Sequence, residues 1–262
     1  MFPYYRTQGL VFKIEDQFEA DQMFSVFTKD FGRVEIFGKA IRKINSKLKS
    51  GIEIFSLSKI EFIQGKHKKT LTDALFVEKF KNIYQIPEKF EVAIKISNLI
   101  DDFIRGEEKD DNIFNLLNDT FSKLNNYQLL TTNYQLIYFY FFWNFISILG
   151  YEPELSKCAI CRQKLNPHNL YFSNKEGGII CKKCLTSGRD GVKIEPDVVK
   201  VLRLIVKKVP MSQDRAGIPV AEGDLGNWNT LSKLKMGNDT RESLKEVSEN
   251  YYRYLLPNYK YE

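Results

Sequence analysis

Histidine is almost missing from this chain: only His67 and His168 among 262 residues carry an imidazole. They fall in different predicted segments, so a histidine-based hydrolase or transferase has no constellation to work with. A Gly-x-Ser-x-Gly nucleophile turn is absent too. Between Gly32 and Lys39 the two glycines enclose five residues, and Ala40 follows the lysine. A phosphate-binding loop needs four residues there and then Ser or Thr to hold magnesium, which excludes an ATPase of that type. The acid pairs Asp101-Asp102 and Asp110-Asp111 are adjacent in polar stretches and read as solvated helix ends. The expectation is a protein that is not an enzyme. Long apolar runs are also lacking. Leu136 to Leu149 is the most apolar stretch, and Asn144 and Ser147 interrupt it. It is too short for a bilayer span and predicts a buried core helix. The opening MFPYYRTQG has no cationic segment followed by an apolar run, so a reducing cytoplasmic setting with no membrane partner is expected.

Cysteine is scarce, yet its arrangement is informative. All four cysteines fall in two turns, Cys158-x-x-Cys161 and Cys181-x-x-Cys184, with nineteen residues between the pairs. Each turn aims two sulfurs at one point, and two turns complete a tetrahedron, as in a four-thiolate zinc site. Two disulfides are the alternative, but four cysteines in a chain of this length are sparse for a disulfide scaffold. Tyr171-Phe172 and Gly177-Gly178 before the second pair predict a short hairpin. Four thiolates leave no open position on the metal, so one structural zinc ion, and no catalytic one, is expected. His168 lies in the same segment, but with four cysteines available it is not expected to be a ligand.

The net charge is +6, unevenly distributed. Residues 1–80 carry +4, residues 81–155 carry −5, residues 156–193 carry +6 and residues 194–262 carry +1. A zinc ion with four thiolates would reduce the third segment's excess to about +4. Two basic segments, the first and the one around the cysteines, with an acidic one between them, suggest a polyanionic partner. Solvated faces are the plainer alternative.

The first eighty residues alternate with period two. Strands are expected at 9–14, 23–28 and 33–37, with Gly32 closing the turn between the second and third. Residues 52–57 and 59–63 continue the pattern and 71–77 supply a fifth strand, which together suggest a small barrel. From about Pro87 the period changes. Helices are expected across Phe90 to Phe103, Ile113 to Leu124, Leu129 to Leu149, Glu195 to Lys208 and Thr240 to Leu256. Residues 210–238 are rich in Gly, Pro and Asn and read as a long loop.

Within the barrel segment, Arg33, Lys39, Arg42, Lys43, Lys47 and Lys49 face a single acid, Glu35. Six cations in seventeen residues repel one another unless a partner neutralises them. Small barrels hold single-stranded nucleic acid with this combination of cations and aromatics. Phe31 and Phe37 lie beside the charges, and at least one of them is expected to belong to the barrel core.

Several motifs in order give the chain its resemblance. Residues 27–34, FTKDFGRV, are followed by Gly38-Lys39-Ala40-Ile41-Arg42-Lys43 and Ser46-Lys47-Leu48. Residues 149–155, LGYEPEL, lead into the first cysteine pair, and Tyr171-Phe172-Ser173 with Gly177-Gly178 leads into the second. Together they resemble the RecO family of bacterial recombination mediators over essentially the whole chain. The resemblance implies an α+β multidomain protein: an N-terminal OB-fold at 1–80, an α-helical domain at 81–155 and 189–262, and a zinc ribbon inserted at 156–188. It further implies a mediator of RecF-pathway DNA repair and homologous recombination. Such a protein binds single- and double-stranded DNA, anneals strands coated with single-strand binding protein and assists RecA loading with RecR. The implied partners are DNA, RecR, the C-terminal tail of single-strand binding protein and RecF, in the bacterial cytoplasm at the nucleoid. On this resemblance the six barrel cations become DNA contacts and Cys158, Cys161, Cys181 and Cys184 become zinc ligands. The competing reading from the residues alone is an RNA-binding barrel and ribbon module.

Overall fold

The computed structural model describes residues 3–126, 134–185, 190–206 and 228–256. The chain forms two compact units, Met1–Tyr138 and Phe139–Glu262.

The first unit opens with five strands: β1 (Tyr4–Gln17), β2 (Asp21–Thr28), β3 (Gly32–Gly38), β4 (Ser56–Gln64) and β5 (Lys69–Lys79). They close into a barrel in the order β1-β2-β3-β5-β4, the arrangement of an OB-fold. The only parallel contact among them joins β3 to β5 at Ile36–Lys69 and Phe37–Thr70. Alternate residues fill the interior: Val11, Phe24, Val26, Val34, Ile36, Ile60 and Phe62 form one buried cluster. Gly32 ends the β2–β3 turn with φ +65°, and a Cβ there would collide with the Glu108 carbonyl. Both constraints require glycine.

Of the strand pattern expected over 52–57 and 59–63, the structure keeps the part from Ser56, as β4 Ser56–Gln64. Leu48–Ser50 is a single 3₁₀ turn, and Phe55 adopts φ 52°. That left-handed residue ends any extended run before Ser56. It also turns the Phe55 ring toward helices α2 (Pro87–Phe103) and α3 (Asp111–Asn126), where it lies 5.7 Å from Phe90 and 5.6 Å from Phe121. Phe55 is fully buried, which stabilises this junction by about 1.5–3 kcal/mol.

Both helices follow their sequence signals. Pro87 opens α2, suited to a first turn whose N–H groups have no intrahelical partner. Val92, Ile96, Leu99 and Ile100 form its buried face. A short helix α1 (Asn82–Gln85) precedes it.

The second unit is built on α4 (Gln135–Ile148), which begins in the first unit. Phe139 to Trp143, Phe145 and Ile146 are all buried, as expected of a helix that is apolar all round. Its polar residues are satisfied. Asn144 donates to the carbonyls of Tyr140 and Ile205, and Ser147 to that of Trp143. Among the described residues no helix is long and apolar enough to cross a membrane. Around α4 lie α6 (Pro196–Val206), α7 (Trp228–Leu231) and α8 (Asn238–Leu255). Trp143 stacks on Tyr251 at 5.5 Å and donates its indole N–H to Ser248.

The expected loop at 210–238 is corrected in part. Residues 210–227 lie outside the described residues, but Trp228–Leu231 is helical, anchored by Trp228 packing 5.4 Å from Tyr140. Of the helices expected at 129–149 and 195–208, residues 129–133 and 207–208 also lie outside the described residues.

The cysteine segment contains the expected hairpin, β6 (Leu170–Ser173) with β7 (Gly178–Cys181). It gains a third strand, β8 (Val192–Lys193), paired with Tyr171 and Phe172. Two residues are too few to leave a periodic signal. Phe172 meets both Trp143 and Tyr251 edge-on, which joins the ribbon to the helical core.

Candidate metal centre and basic barrel rim

The four sulfurs converge. Those of Cys158, Cys161, Cys181 and Cys184 all lie within 4.8 Å of one another, and the Cys161–Cys181 pair is 3.8 Å apart. A tetrahedron with metal–sulfur bonds of about 2.3 Å has edges of about 3.8 Å, so the cluster fits a four-coordinate thiophilic ion. All four thiols are free, not paired in disulfides. His168 is exposed and outside the cluster.

The backbone is arranged for thiolates. Cys158 is buried, and the amide of Cys181 donates to its sulfur at 3.4 Å. Burial alone would raise the Cys158 thiol, but amide N–H groups of Cys161, Cys181 and Ile160 bring it down to about 6. Arg162, just after the first turn, sits at φ 59° and donates its amide to the Cys158 carbonyl at 3.0 Å. The second turn enters the short helix α5 (Lys182–Leu185). Exposed Lys157, Arg162, Lys164, Lys182 and Lys183 surround the cluster in sequence.

The six barrel cations fall into two groups. Lys39, Arg42, Lys43, Lys47 and Lys49 are exposed on the β3–β4 connection. Arg33 is only 14% exposed and is committed within the unit. Its guanidinium pairs with Asp101 at 2.7 Å and with Glu35 at 2.9 Å, and donates to the Ile104 carbonyl at 2.7 Å. Lys13 also pairs with Asp101, at 3.0 Å. Burial would raise the Asp101 carboxyl, but hydrogen bonds from Lys13 and Arg33 hold it below its ordinary value. The Arg33 guanidinium therefore ties the barrel to the C-terminal end of α2, where the helix dipole favours a cation. Replacing Arg33 with Ala is expected to destabilise this unit by roughly 2 kcal/mol, because charged hydrogen bonds are lost and Asp101 is left half-buried. Urea denaturation followed by tyrosine fluorescence checks it. An unchanged midpoint would refute the clamp.

The same clamp closes a face. Leu10, Phe12 and Phe27 alternate with the interior residues, so they point outward, yet they are fully buried. The Arg33 guanidinium lies 5.5 Å over the Phe12 ring, and Lys69 pairs with Glu107 at 2.5 Å. The outer β1–β2–β3 surface, on which OB barrels usually lay nucleic acid, is therefore partly buried within the unit and tied by Arg33 and Lys13 to the C-terminal end of α2. Nor are the sequence's candidate stacking rings available. Phe37 is 6% exposed, and Phe31 packs against Tyr5 and Phe62.

One end of the barrel is open and basic. Ala20 accepts from the Arg42 amide at 2.9 Å, and Asp21 accepts from the Ala40 amide at 2.6 Å. These bonds seat the β3–β4 loop beside the β1–β2 turn. The parallel β3–β5 contact brings the β4–β5 turn to the same end, and Lys68 sits 3.2 Å over the Phe37 ring. Exposed Lys66, His67 and Lys68 thereby join Lys39, Arg42 and Lys43. Lys66 and Lys68 lie outside the segment that composition singles out. Only the strand pairing reveals them.

Both halves of the chain match the family model: "Recombination protein O N terminal" over residues 1–80 and "Recombination protein O C terminal" over 87–215. The chain belongs to the RecO family. Two relatives, each named DNA repair protein RecO, come from Dehalococcoides mccartyi. That of strain 195 is 34% identical over 77% of this chain and 78% of its own length. That of strain CBDB1 is 31% identical over 96% and 94%. A third, of the same name, from Halalkalibacterium halodurans, is 24% identical over 95% and 89%. The barrel, the helical part and the four-cysteine cluster are thus those of a RecO-family DNA repair protein.

Proposed function

We propose that this RecO-family chain is a non-enzymatic strand mediator in RecF-pathway repair. It binds single- and double-stranded DNA through phosphate, anneals complementary strands coated with single-strand binding protein, and assists RecA loading together with RecR. RecF and the tail of single-strand binding protein are its further proposed partners, and the cytoplasm at the nucleoid its place. The observation that carries the reading is the crown of exposed cations, Lys39, Arg42, Lys43, Lys66 and Lys68, at one end of the barrel. We assign residues 1–80 to the DNA-binding barrel and 156–188 to a ribbon holding one structural zinc. The helical domain then comprises 81–155 and 189–262. The four thiolates supply a soft tetrahedral donor set, which suits zinc.

Two DNA strands repel each other. Basic surfaces on the barrel rim and on the ribbon, around Lys157, Arg162, Lys164, Lys182 and Lys183, screen that repulsion. Contacts to phosphate leave the base edges free to pair and make binding largely independent of sequence. The test is annealing of complementary oligonucleotides precoated with single-strand binding protein, followed by energy transfer between fluorophores on the two strands. Acceleration that disappears at high salt is expected. No acceleration by folded, metal-loaded protein would refute the mediator role, and tighter binding to RNA than to DNA of the same sequence would favour the RNA-binding reading.

A further inference from the structure

The β1–β2 turn presents Phe18 to solvent. The residue is 85% exposed, and its backbone adopts φ 52°, a conformation that suits glycine or asparagine and that bulky residues rarely adopt. Phe18 therefore combines exposed apolar surface with a strained backbone, on a hairpin that either smaller residue would close more easily. Ile44, on the adjoining β3–β4 loop, is 99% exposed. The two apolar tips belong to one rim. The Arg42 guanidinium pairs with Asp16 of the hairpin at 3.1 Å, and the Arg42 amide donates to Ala20.

The surrounding charges identify the occupant. Lys39, Lys43, Lys66 and Lys68 are exposed at the same end of the barrel and favour a polyanion. Asp16 is paired with Arg42, while exposed Glu19 follows Phe18 directly and repels phosphate there. The ring thus meets the uncharged part of a polyanion, flanked by cations for its charged part. Unpaired nucleobases on a phosphate backbone have that pattern. A duplex hides its base faces in its own stack, whereas a single strand offers every base a π-face.

We propose that Phe18 is a base-stacking platform, with Ile44 as a second apolar contact, through which the barrel rim prefers single-stranded over double-stranded nucleic acid. The proposal rests on the reading that this rim holds nucleic acid. The cations provide affinity for either form, and Phe18 provides the discrimination.

The experiment uses the full chain, a single-stranded oligonucleotide carrying 2-aminopurine, and its duplex. Phe18→Asn removes the ring while suiting the left-handed backbone. Its single-strand Kd is expected to rise about tenfold, the loss of one base stack. Quenching of 2-aminopurine by the protein should fall with it. Duplex affinity, the salt dependence and the melting temperature should not decline, and Phe18→Trp should bind single strands at least as well as wild type. Equal losses for single strand and duplex would overturn the proposal, since stacking cannot account for them. So would wild-type binding and quenching by Phe18→Asn alongside weakened binding by a Lys39, Arg42 and Lys43 alanine variant, although the rim would then stand. If the wild-type chain bound neither form, the rim reading would fall with it. Loss of self-association by Phe18→Asn at unchanged single-strand affinity would instead assign the tip to contact between copies of this chain, also overturning the proposal.

Discussion

Cys158→Ser is expected to abolish metal retention and to unfold the ribbon, the largest effect of any single substitution considered. Cys158 is the one fully buried member of the cluster, with the Cys181 amide directed at its sulfur. A serine hydroxyl is a poor ligand for a soft ion and too short to restore the tetrahedron. Structural zinc in small four-ligand domains contributes on the order of 10–16 kcal/mol of apparent binding energy at pH 7, more than the stability of most whole domains. The damage should spread. β6 presents Phe172 to Trp143 and Tyr251, so a disordered hairpin removes packing from α4 and α8. Native mass spectrometry should show one metal per wild-type chain and none per variant, and circular dichroism should show the variant's 139–262 unit melting early and without cooperativity. Chelation of the wild type should reproduce both. A variant that kept one metal per chain with an unchanged melt would end the four-thiolate assignment.

Replacing Lys39, Arg42 and Lys43 together with Ala is expected to weaken single-strand binding without loss of thermal stability. All three are exposed. Arg42 pairs with exposed Asp16, an interaction worth little at the surface. Each phosphate contact on a single strand contributes about 0.7 to the slope of log affinity against log salt, so three lost contacts lower it by about 2. At about 0.15 M salt that corresponds to an affinity loss of about fiftyfold. Fluorescence anisotropy across a salt series measures both quantities. Unchanged slope and affinity would place the nucleic-acid face elsewhere. Arg33→Ala is the contrasting variant, losing stability where the triple variant loses binding.

That contrast marks the limit of the sequence. The cysteine cluster was legible because two fixed spacings determine where four sulfurs point. The barrel was legible in its strands and turns because period-two alternation is local. Which cations are free is not local. Arg33 and Lys39 look alike in a basic segment, and only Asp101 and Ile104, far along the chain, distinguish them. The same holds for Lys66 and Lys68, whose neighbours are set by a β3–β5 contact of two residue pairs. The strand pattern expected from residue 52 begins only at Ser56 for a related reason. Residues 52–57 alternate well enough, but Phe55 is drawn out of the barrel by the aromatic rings of α2 and α3. No window of a few residues contains that information.

The burial of Leu10, Phe12 and Phe27 on the outside of the barrel also bears on how much of a polymer the proposed DNA-binding face can touch. An OB barrel that lays a strand along its side reads a long footprint and holds it as a track. A strand that meets this barrel end-on, at the cationic rim proposed above, crosses the rim and departs. The footprint then falls at the short end of the roughly 4–16 nucleotides that single barrels occupy. A strand held at a point keeps its flanks mobile and its bases unmasked, and many copies can sit on it without ordering it. For chemistry that depends on two strands finding register, such a grip is loose enough to let them slide.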